Sequence, residues 1–310
     1  MHNNVSARTP LILEIRGNSL DDGPGIRSVV FFKGCPLSCA WCHNPESKRA
    51  GAELSFDPKE CVACDTCVKL CPEKALSRKT KGFIDRKKCT LCFDCVDACP
   101  SGALSPVGKE MPVDEVMAAV LRDKPFFDTS GGGVTLSGGE PTLFMDFSSE
   151  LLGILKKKKV HTLLETCGLF DWESFEEKMA PHLDAVYFDI KIMDAANHKK
   201  YCGVPNDRIL ANFEKLLKLA AKKKMVLLPR TPLVPGITDT EENLSAIAAY
   251  LEGLGVRKSA LLPYNPMWHE KSGKIGAEDV LARKAEASKW MERGKIESCR
   301  AIFTSRGIEV

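Results

Sequence analysis

Nowhere in the 310 residues is there an apolar run long enough to span a bilayer, and Met1 to Pro10, with His2, two asparagines and Arg8, lacks the apolar core of a signal peptide. Charge of one sign is also missing: 44 Lys and Arg stand against 41 Asp and Glu, a formal net charge of +3. So small an excess gives no reason to expect nucleic acid or a membrane as partner. The expectation is a cytoplasmic monomer with neither. At 44% hydrophobic residues a disordered or fibrous chain is excluded, and the length suits one large core or a core with a small appended module. The lysine runs Lys156 to Lys159 and Lys222 to Lys224 end apolar-periodic helices, where the helix dipole favours cations, and read as solvated helix ends.

What the chain has in excess is cysteine, fourteen in all. A reducing cytosol does not support a disulfide framework, so metal or redox chemistry is expected. Eleven fall between Cys35 and Cys99, while Cys167, Cys202 and Cys299 are scattered singly and read as ordinary small buried residues.

The apolar segment Leu11 to Ile15 leads through the turn-rich stretch Asp21 to Gly25 into Ile26 to Phe32, a buried strand by its β-branched and aromatic composition. Residues 53–106 are short and cysteine-dense, and their halves repeat: Cys61, Cys64, Cys67 and Cys71 have the spacing of Cys89, Cys92, Cys95 and Cys99, each run ending in Pro. Beyond residue 106 helices are expected at Val113 to Arg122, Phe147 to Lys158, Trp172 to Met179, Arg208 to Lys222, Glu241 to Leu254 and Glu278 to Glu292. Strands are expected at Val134 to Leu136, His161 to Glu165, Ala185 to Ile190, Met225 to Pro229 and Ala260 to Pro263. Such alternation predicts an α/β fold with a parallel sheet, and six main strands suit a partial barrel better than an eight-stranded one. Functional loops then gather at the C-terminal strand ends.

Cys35, Cys39 and Cys42 follow the first long strand, close enough to grip one soft metal centre while leaving a fourth position open. Structural zinc wants four protein ligands, and only the adjacent His43 offers a local fourth. Glu165 and Asp189 both close predicted strands and so share a rim, where two carboxylates need a cation, a donor or a raised pKa to coexist. An ion pair between Asp189 and Lys191 is not expected, because ladder spacing separates the heads of residues two apart on a strand. The three glycines Gly131 to Gly133 and the pair Gly138-Gly139 let backbone approach a ligand closely.

The Cys35-x3-Cys39-x2-Cys42 loop resembles the signature of the radical S-adenosylmethionine superfamily. Asp22-Gly23-Pro24-Gly25-Ile26-Arg27, Cys42-His43-Asn44, Gly131 to Pro141, Glu165-Thr166-Cys167-Gly168, Asp189-Ile190-Lys191, Arg230, Val234-Pro235-Gly236 and Leu261 to Tyr264 together resemble pyruvate formate-lyase activating enzyme and its relatives. The resemblance spans nearly the whole chain outside the cysteine-rich insert. It implies a partial (β/α)6 radical SAM barrel over 1–52 and 107–310, interrupted by a bacterial-ferredoxin-like insert over 53–106. It also implies an enzyme that reductively cleaves S-adenosylmethionine and draws a glycine α-hydrogen from a partner glycyl radical enzyme, with flavodoxin or ferredoxin as electron donor. Cys35, Cys39 and Cys42 would hold a 4Fe–4S cluster. Cofactor contacts would come from Ser137, Gly138, Gly139, Glu140, Glu165, Thr166, Asp189, Lys191 and Arg230. A monovalent cation would sit among Glu165, Thr166, Asp189 and the Tyr187 carbonyl. By similarity to two-cluster ferredoxins, whose fourth cysteine crosses over, Cys61, Cys64, Cys67 and Cys99 would bind one further cluster and Cys89, Cys92, Cys95 and Cys71 another, three 4Fe–4S clusters in all. Some relatives carry His where this chain has Asn265, so no proton transfer is assigned there. A radical enzyme acting on a small molecule or nucleotide, and a plain electron carrier, are the alternatives.

Overall fold

A computed structural model describes residues 9–278, 281 and 285–310. Ten strands are present among them: β1 (Leu11–Ser19), β2 (Arg27–Phe32), β3 (Glu53–Phe56), β4 (Leu104–Val107), β5 (Lys109–Glu110), β6 (Gly133–Gly138), β7 (His161–Thr166), β8 (Ala185–Asp189), β9 (Val226–Pro232) and β10 (Ala260–Leu262). Eight form one sheet in the order β10-β9-β8-β7-β6-β2-β1-β5. From β2 to β10 every pairing is parallel, and these six strands are the six expected from composition. β1 and β5 extend the β2 edge antiparallel. β2 and β6 are buried along nearly their whole length, as parallel strands covered on both faces must be.

Helices between the strands supply that cover. Asp207–Lys223 buries Ile209, Phe213, Leu216, Leu219 and Ala220 along one stripe and stops where Lys224 turns left-handed at φ 56°, so its lysine run is a helix end, as is that of Met145–Lys157. The segment expected as one helix from Trp172 changes character after one turn. Asp171 caps Ser174 N at 3.0 Å, and Phe175–Met179 then widens into a π-turn that buries Phe175 and Met179. Helices at Lys124–Ser130, Ala195–Cys202 and Trp268–Lys274 were not expected; Ala195–Cys202 buries only His198 and Cys202, too few apolar positions to show a period. Of the helix expected near Glu278 to Glu292, residues 279, 280 and 282–284 lie outside the described residues. Ala285–Ser288 is a 3-10 turn, and the next helix is Arg293–Thr304.

Between β2 and β6 a second, smaller body branches off. β3 and β4 pair antiparallel at its base, and its core is Leu54, Leu76, Phe83, Ile84, Cys95 and Leu104. Fully buried Lys33, leaving β2, reaches the Glu53 carboxylate at 2.6 Å and the Glu46 carbonyl at 2.7 Å. Helix Trp268–Lys274 ties down the other side through Lys274 to Asp57 at 2.7 Å and Glu270 to Lys59 at 2.8 Å. None of the described helices is long and apolar enough to cross a membrane.

Candidate functional site

The exits of all six parallel strands open on one cavity of about 530 Å³. β2 delivers Cys35, Cys39 and Cys42; β6, Ser137, Gly138 and Gly139; β7, Glu165 and Thr166; β8, Asp189 and Lys191; β9, Arg230; and β10, Tyr264 and Asn265, all of them lining it. The loop geometry is set by close backbone approach. A Cβ on Gly139 would lie 2.1 Å from the Gly34 carbonyl oxygen, and one on Gly132 would lie 1.8 Å from that of Ile26. Gly132 thus serves the strand contact at the opposite end of β6 from the cavity. Gly132 and Gly133 bring backbone to backbone, not backbone to a ligand, and Gly131, left-handed at φ 70°, ends helix Lys124–Ser130, which corrects the sequence expectation.

The motif around Arg27 has a similar explanation. Its guanidinium is fully buried and donates to Thr135 Oγ1 at 2.6 Å, the Val134 carbonyl at 2.8 Å and the Pro24 carbonyl at 3.1 Å. Thr135 in turn donates to the Asp22 carbonyl at 2.8 Å. Arg27 therefore holds the Asp22–Gly25 turn against β6, where Asp21 and Asp22 line the cavity.

On the far wall two carboxylates and two cations interlock. Arg230 pairs with Glu165 and, at 3.0 Å, with Asp189; Lys191 pairs with Asp189 at 2.7 Å; Ser137 donates to Glu165 at 2.6 Å. The Asp189 to Lys191 pair contradicts the sequence expectation. β8 ends at Asp189, so Lys191 is free of the ladder and folds back. Burial disfavours the charged forms, yet mutual attraction wins: Asp189 lies below the usual carboxylate range, and Lys191 and Arg230 lie above theirs.

Two further sets of expected site groups are engaged within the protein. Glu140 is fully buried, accepting from Thr166 Oγ1 at 2.9 Å, Cys167 N at 2.7 Å and Thr142 Oγ1 at 2.8 Å; it locks the β6 exit to the β7 exit through two residues that line the cavity. The groups expected around a monovalent cation are engaged elsewhere: Thr166 turns to Glu140, and Glu165 and Asp189 already have Arg230 and Lys191.

In the small body the eight repeat cysteines separate into two groups. One cavity is lined by Cys61, Cys64, Cys67 and Cys99, a second by Cys71, Cys89, Cys92 and Cys95. The fourth cysteine of each run has crossed to the other group. All fourteen cysteines are free thiols. Among the described residues no group of three or more His, Cys, Asp or Glu side chains is placed to hold a single metal ion. Polynuclear iron–sulfur clusters fit such spacing and such a donor set.

Sequence reasoning passed over Cys167 and Cys202. Both are buried, as expected, but Cys167 lines the same cavity as Cys35, and the Cys202 carbonyl accepts from Ser38 N of the Cys35–Cys42 loop at 2.9 Å. Only their isolation in the sequence marked them, and isolation carries no signal of contact. Helix Trp268–Lys274 was likewise missed, although Lys271 reaches Asn44 Oδ1 at 3.1 Å and Glu46 at 3.0 Å on the stretch following Cys42.

Comparison with known proteins agrees with this arrangement. The Radical SAM superfamily model matches residues 86–246, a 4Fe-4S dicluster domain matches 60–103, and a 4Fe-4S single cluster domain matches 21–75. The chain is 38% identical to the trans-4-hydroxy-L-proline dehydratase activating enzyme of Clostridioides difficile, over 95% of this chain and 96% of that one. It is 43% identical to the isethionate sulfite-lyase activating enzyme of Nitratidesulfovibrio vulgaris, over 85% and 86%. Among solved structures, a radical SAM methyltransferase from Sphaerobacter thermophilus shares the fold, with a TM-score of 0.52 at 14% identity over 97% of this chain and 76% of that one. Identity this high over nearly the full length of activating enzymes, together with the two iron–sulfur matches, makes the chain a member of the glycyl radical enzyme activating enzymes of the radical SAM superfamily.

Proposed function

We propose that this enzyme cleaves S-adenosylmethionine reductively to methionine and a 5′-deoxyadenosyl radical that removes the α-hydrogen of a glycine in a partner glycyl radical enzyme. The observation that carries this reading is the convergence of six strand exits on one cavity, with Cys35, Cys39 and Cys42 on one wall and the Arg230 ion-pair group on the other. Cys35, Cys39 and Cys42 would hold a 4Fe–4S cluster, which would supply the single electron for the cleavage. The chain's own residues do the positioning. Ser137, Gly138 and Gly139 present the backbone at the β6 exit, and Arg230 and Lys191, held rigid by Glu165 and Asp189, orient the cofactor's polar end. Apolar walls from Leu37, Trp41, Leu233 and Val234 keep water from the reacting carbon.

In this reading residues 53–106 are an inserted module between barrel segments 1–52 and 107–310. Its two cysteine-lined cavities hold two further 4Fe–4S clusters, three in the chain. Tethering at both ends keeps them at high effective concentration beside the radical site, which supports a role as an electron relay from flavodoxin or ferredoxin.

The test is label transfer. The reconstituted enzyme is incubated without oxygen with reductant, S-adenosylmethionine and a cognate partner deuterated at its target glycine. Deuterium is expected in 5′-deoxyadenosine, with a doublet radical signal on the partner. Label drawn instead from a small metabolite would overturn the glycine assignment.

A further inference from the structure

Helix Trp268–Lys274 stands between the insert and the cavity and is tied to both. On the insert side, Lys274 pairs with Asp57 at 2.7 Å and Glu270 with Lys59 at 2.8 Å. Arg86 donates to the Leu54 carbonyl at 2.9 Å and to the Lys274 carbonyl, at the end of the helix, at 3.4 Å. Left-handed Gly276, at φ 61°, admits it, since a Cβ there would lie 2.6 Å from Arg86 Nε. On the cavity side, buried Trp268 donates to the Tyr264 hydroxyl at 2.9 Å. Lys271 donates to Asn44 Oδ1 at 3.1 Å and to Glu46 Oε1 at 3.0 Å. Tyr264 and Asn44 line the cavity, and Lys271 stands behind them. The second Glu46 oxygen, Oε2, is buried with no hydrogen-bond partner, so among the described residues Lys271 is the only cation on that carboxylate.

We propose that Lys271 is a positioning residue for the cavity wall, and that the insert, through the same helix, sets where Lys271 stands. This deepens the proposed function and rests on it, since the cavity must be the one that takes S-adenosylmethionine. Spacing explains how a helix of seven residues serves two bodies. Trp268 and Lys271, one turn apart, share one side, while Glu270 and Lys274, also one turn apart, share another. Lys271 places one charge-assisted hydrogen bond on each of Asn44 and Glu46, which pins the stretch leaving Cys42 in a single arrangement. Without that cation the Glu46 carboxylate has to turn toward water, because a buried charge left unpaired is costly, and the stretch moves with it. A cofactor then meets a displaced wall and loses affinity. The two ion pairs leave from the base of the insert, at Asp57 and Lys59 just beyond β3, and involve no cysteine. The insert thereby contributes to the site mechanically, whatever supplies the electron.

The experiment measures S-adenosylmethionine binding to the full-length, reconstituted holoenzyme by calorimetry. It also follows the change that S-adenosylmethionine causes in the electron paramagnetic resonance signal after reduction with dithionite, so that no protein donor takes part. Lys271→Met is expected to raise Kd about three- to tenfold at unchanged iron content, and Lys271→Arg, which keeps the charge and the donors, to stay within about twofold of wild type. Asp57→Asn with Lys59→Met cuts both ion pairs from the insert. That variant is expected to raise Kd about two- to threefold, less than Lys271→Met because Lys59 and Glu270 are exposed. Added to it, Lys271→Met should cost less than it does in the wild-type protein, as for coupled residues. A wild-type Kd for Lys271→Met, or an arginine variant as weak as the methionine one, overturns the positioning role. A wild-type Kd for the insert variant, or strictly additive effects, overturns the link to the insert. Should Lys271→Met fail to load iron, Lys271→Gln, which keeps an uncharged donor, replaces it with the same expected direction; failure of both to load assigns Lys271 to cluster assembly and overturns the proposal. Wild-type protein that neither binds S-adenosylmethionine nor changes its signal would fail the proposed function itself, whereas normal wild-type binding beside unchanged variants sinks only the present inference.

Discussion

In the barrel, Cys35, Cys39 and Cys42 lie on a loop packed into a core that runs from Ile12 to Ile308. In the insert, eight cysteines surround a core of six buried residues, one of them Cys95, and Cys64 and Cys92 are exposed. The barrel loop is held by protein contacts: Gly139 against Gly34, Lys33 on Glu46 and Glu53, and the end of helix Ala195–Cys202 all fix it. The insert has one two-stranded sheet and two helices of four and five residues. So small a body buries too little apolar surface to offset its conformational entropy, and metal ligation must contribute the difference. In the proposed reading, one region is therefore a scaffold that receives a cluster, and the other is a fold that clusters complete.

The sharpest way to separate the two is Cys39→Ala. Cleavage of S-adenosylmethionine should be abolished, read as loss of 5′-deoxyadenosine, while the iron of the insert remains; near-normal cleavage would remove the basis of the proposed chemistry. Stripping iron with a chelator comes next. Limited proteolysis should then cut first within residues 53–106 and leave the barrel intact, and equal resistance of both regions would contradict a metal-dependent insert. Within that region, paired Cys64→Ala and Cys92→Ala changes should leave cofactor binding unchanged and slow turnover with a protein electron donor. Wild-type multiple-turnover rates would leave docking or scaffolding as the insert's role.

Smaller effects belong to the barrel alone. Arg230→Met leaves Glu165 and Asp189 without their shared cation, and breaking such a buried pair costs about 3–5 kcal/mol. A lowered melting temperature and weaker S-adenosylmethionine binding by calorimetry are expected, with Arg230→Lys intermediate. The smallest effect concerns pH. Burial, aided by Arg27, holds His161 below its ordinary value, so the folded barrel prefers the neutral ring. That contribution is fully present above the unfolded value of about 6.5 and is lost as pH falls from there through the folded value. His161→Gln should flatten the loss of barrel stability as pH falls below about 6.5, read from melting temperatures across that range. Residues 53–106 contain no histidine, so the insert should not share this slope.

Much of this was legible along the chain because it depends on local spacing. Residue composition marks the six parallel strands, since a strand buried on both faces must be apolar throughout, and the two four-cysteine runs announce their kinship by identical intervals. Side-chain direction at strand exits was not legible. Glu140 belongs to a motif that resembles a cofactor contact, yet it turns inward to Thr166 and Cys167. Lys191 sits two residues from Asp189, yet it reaches it, because the strand stops between them.

What the sequence determined by itself was chemistry and order: which residues are soft ligands, which segments alternate as strand and helix, and which family the chain resembles. What only the tertiary structure decided was company. Cys202, whose carbonyl accepts from Ser38 N at 2.9 Å, lies 164 residues beyond Ser38 in the chain, and nothing in either neighbourhood names the other. They meet because the sheet's parallel crossovers bring every strand exit to one rim, and because Gly203 lets the end of one helix lie flat against the loop. Periodicity and spacing report interactions within a few residues, whereas contacts across a barrel depend on how whole elements pack.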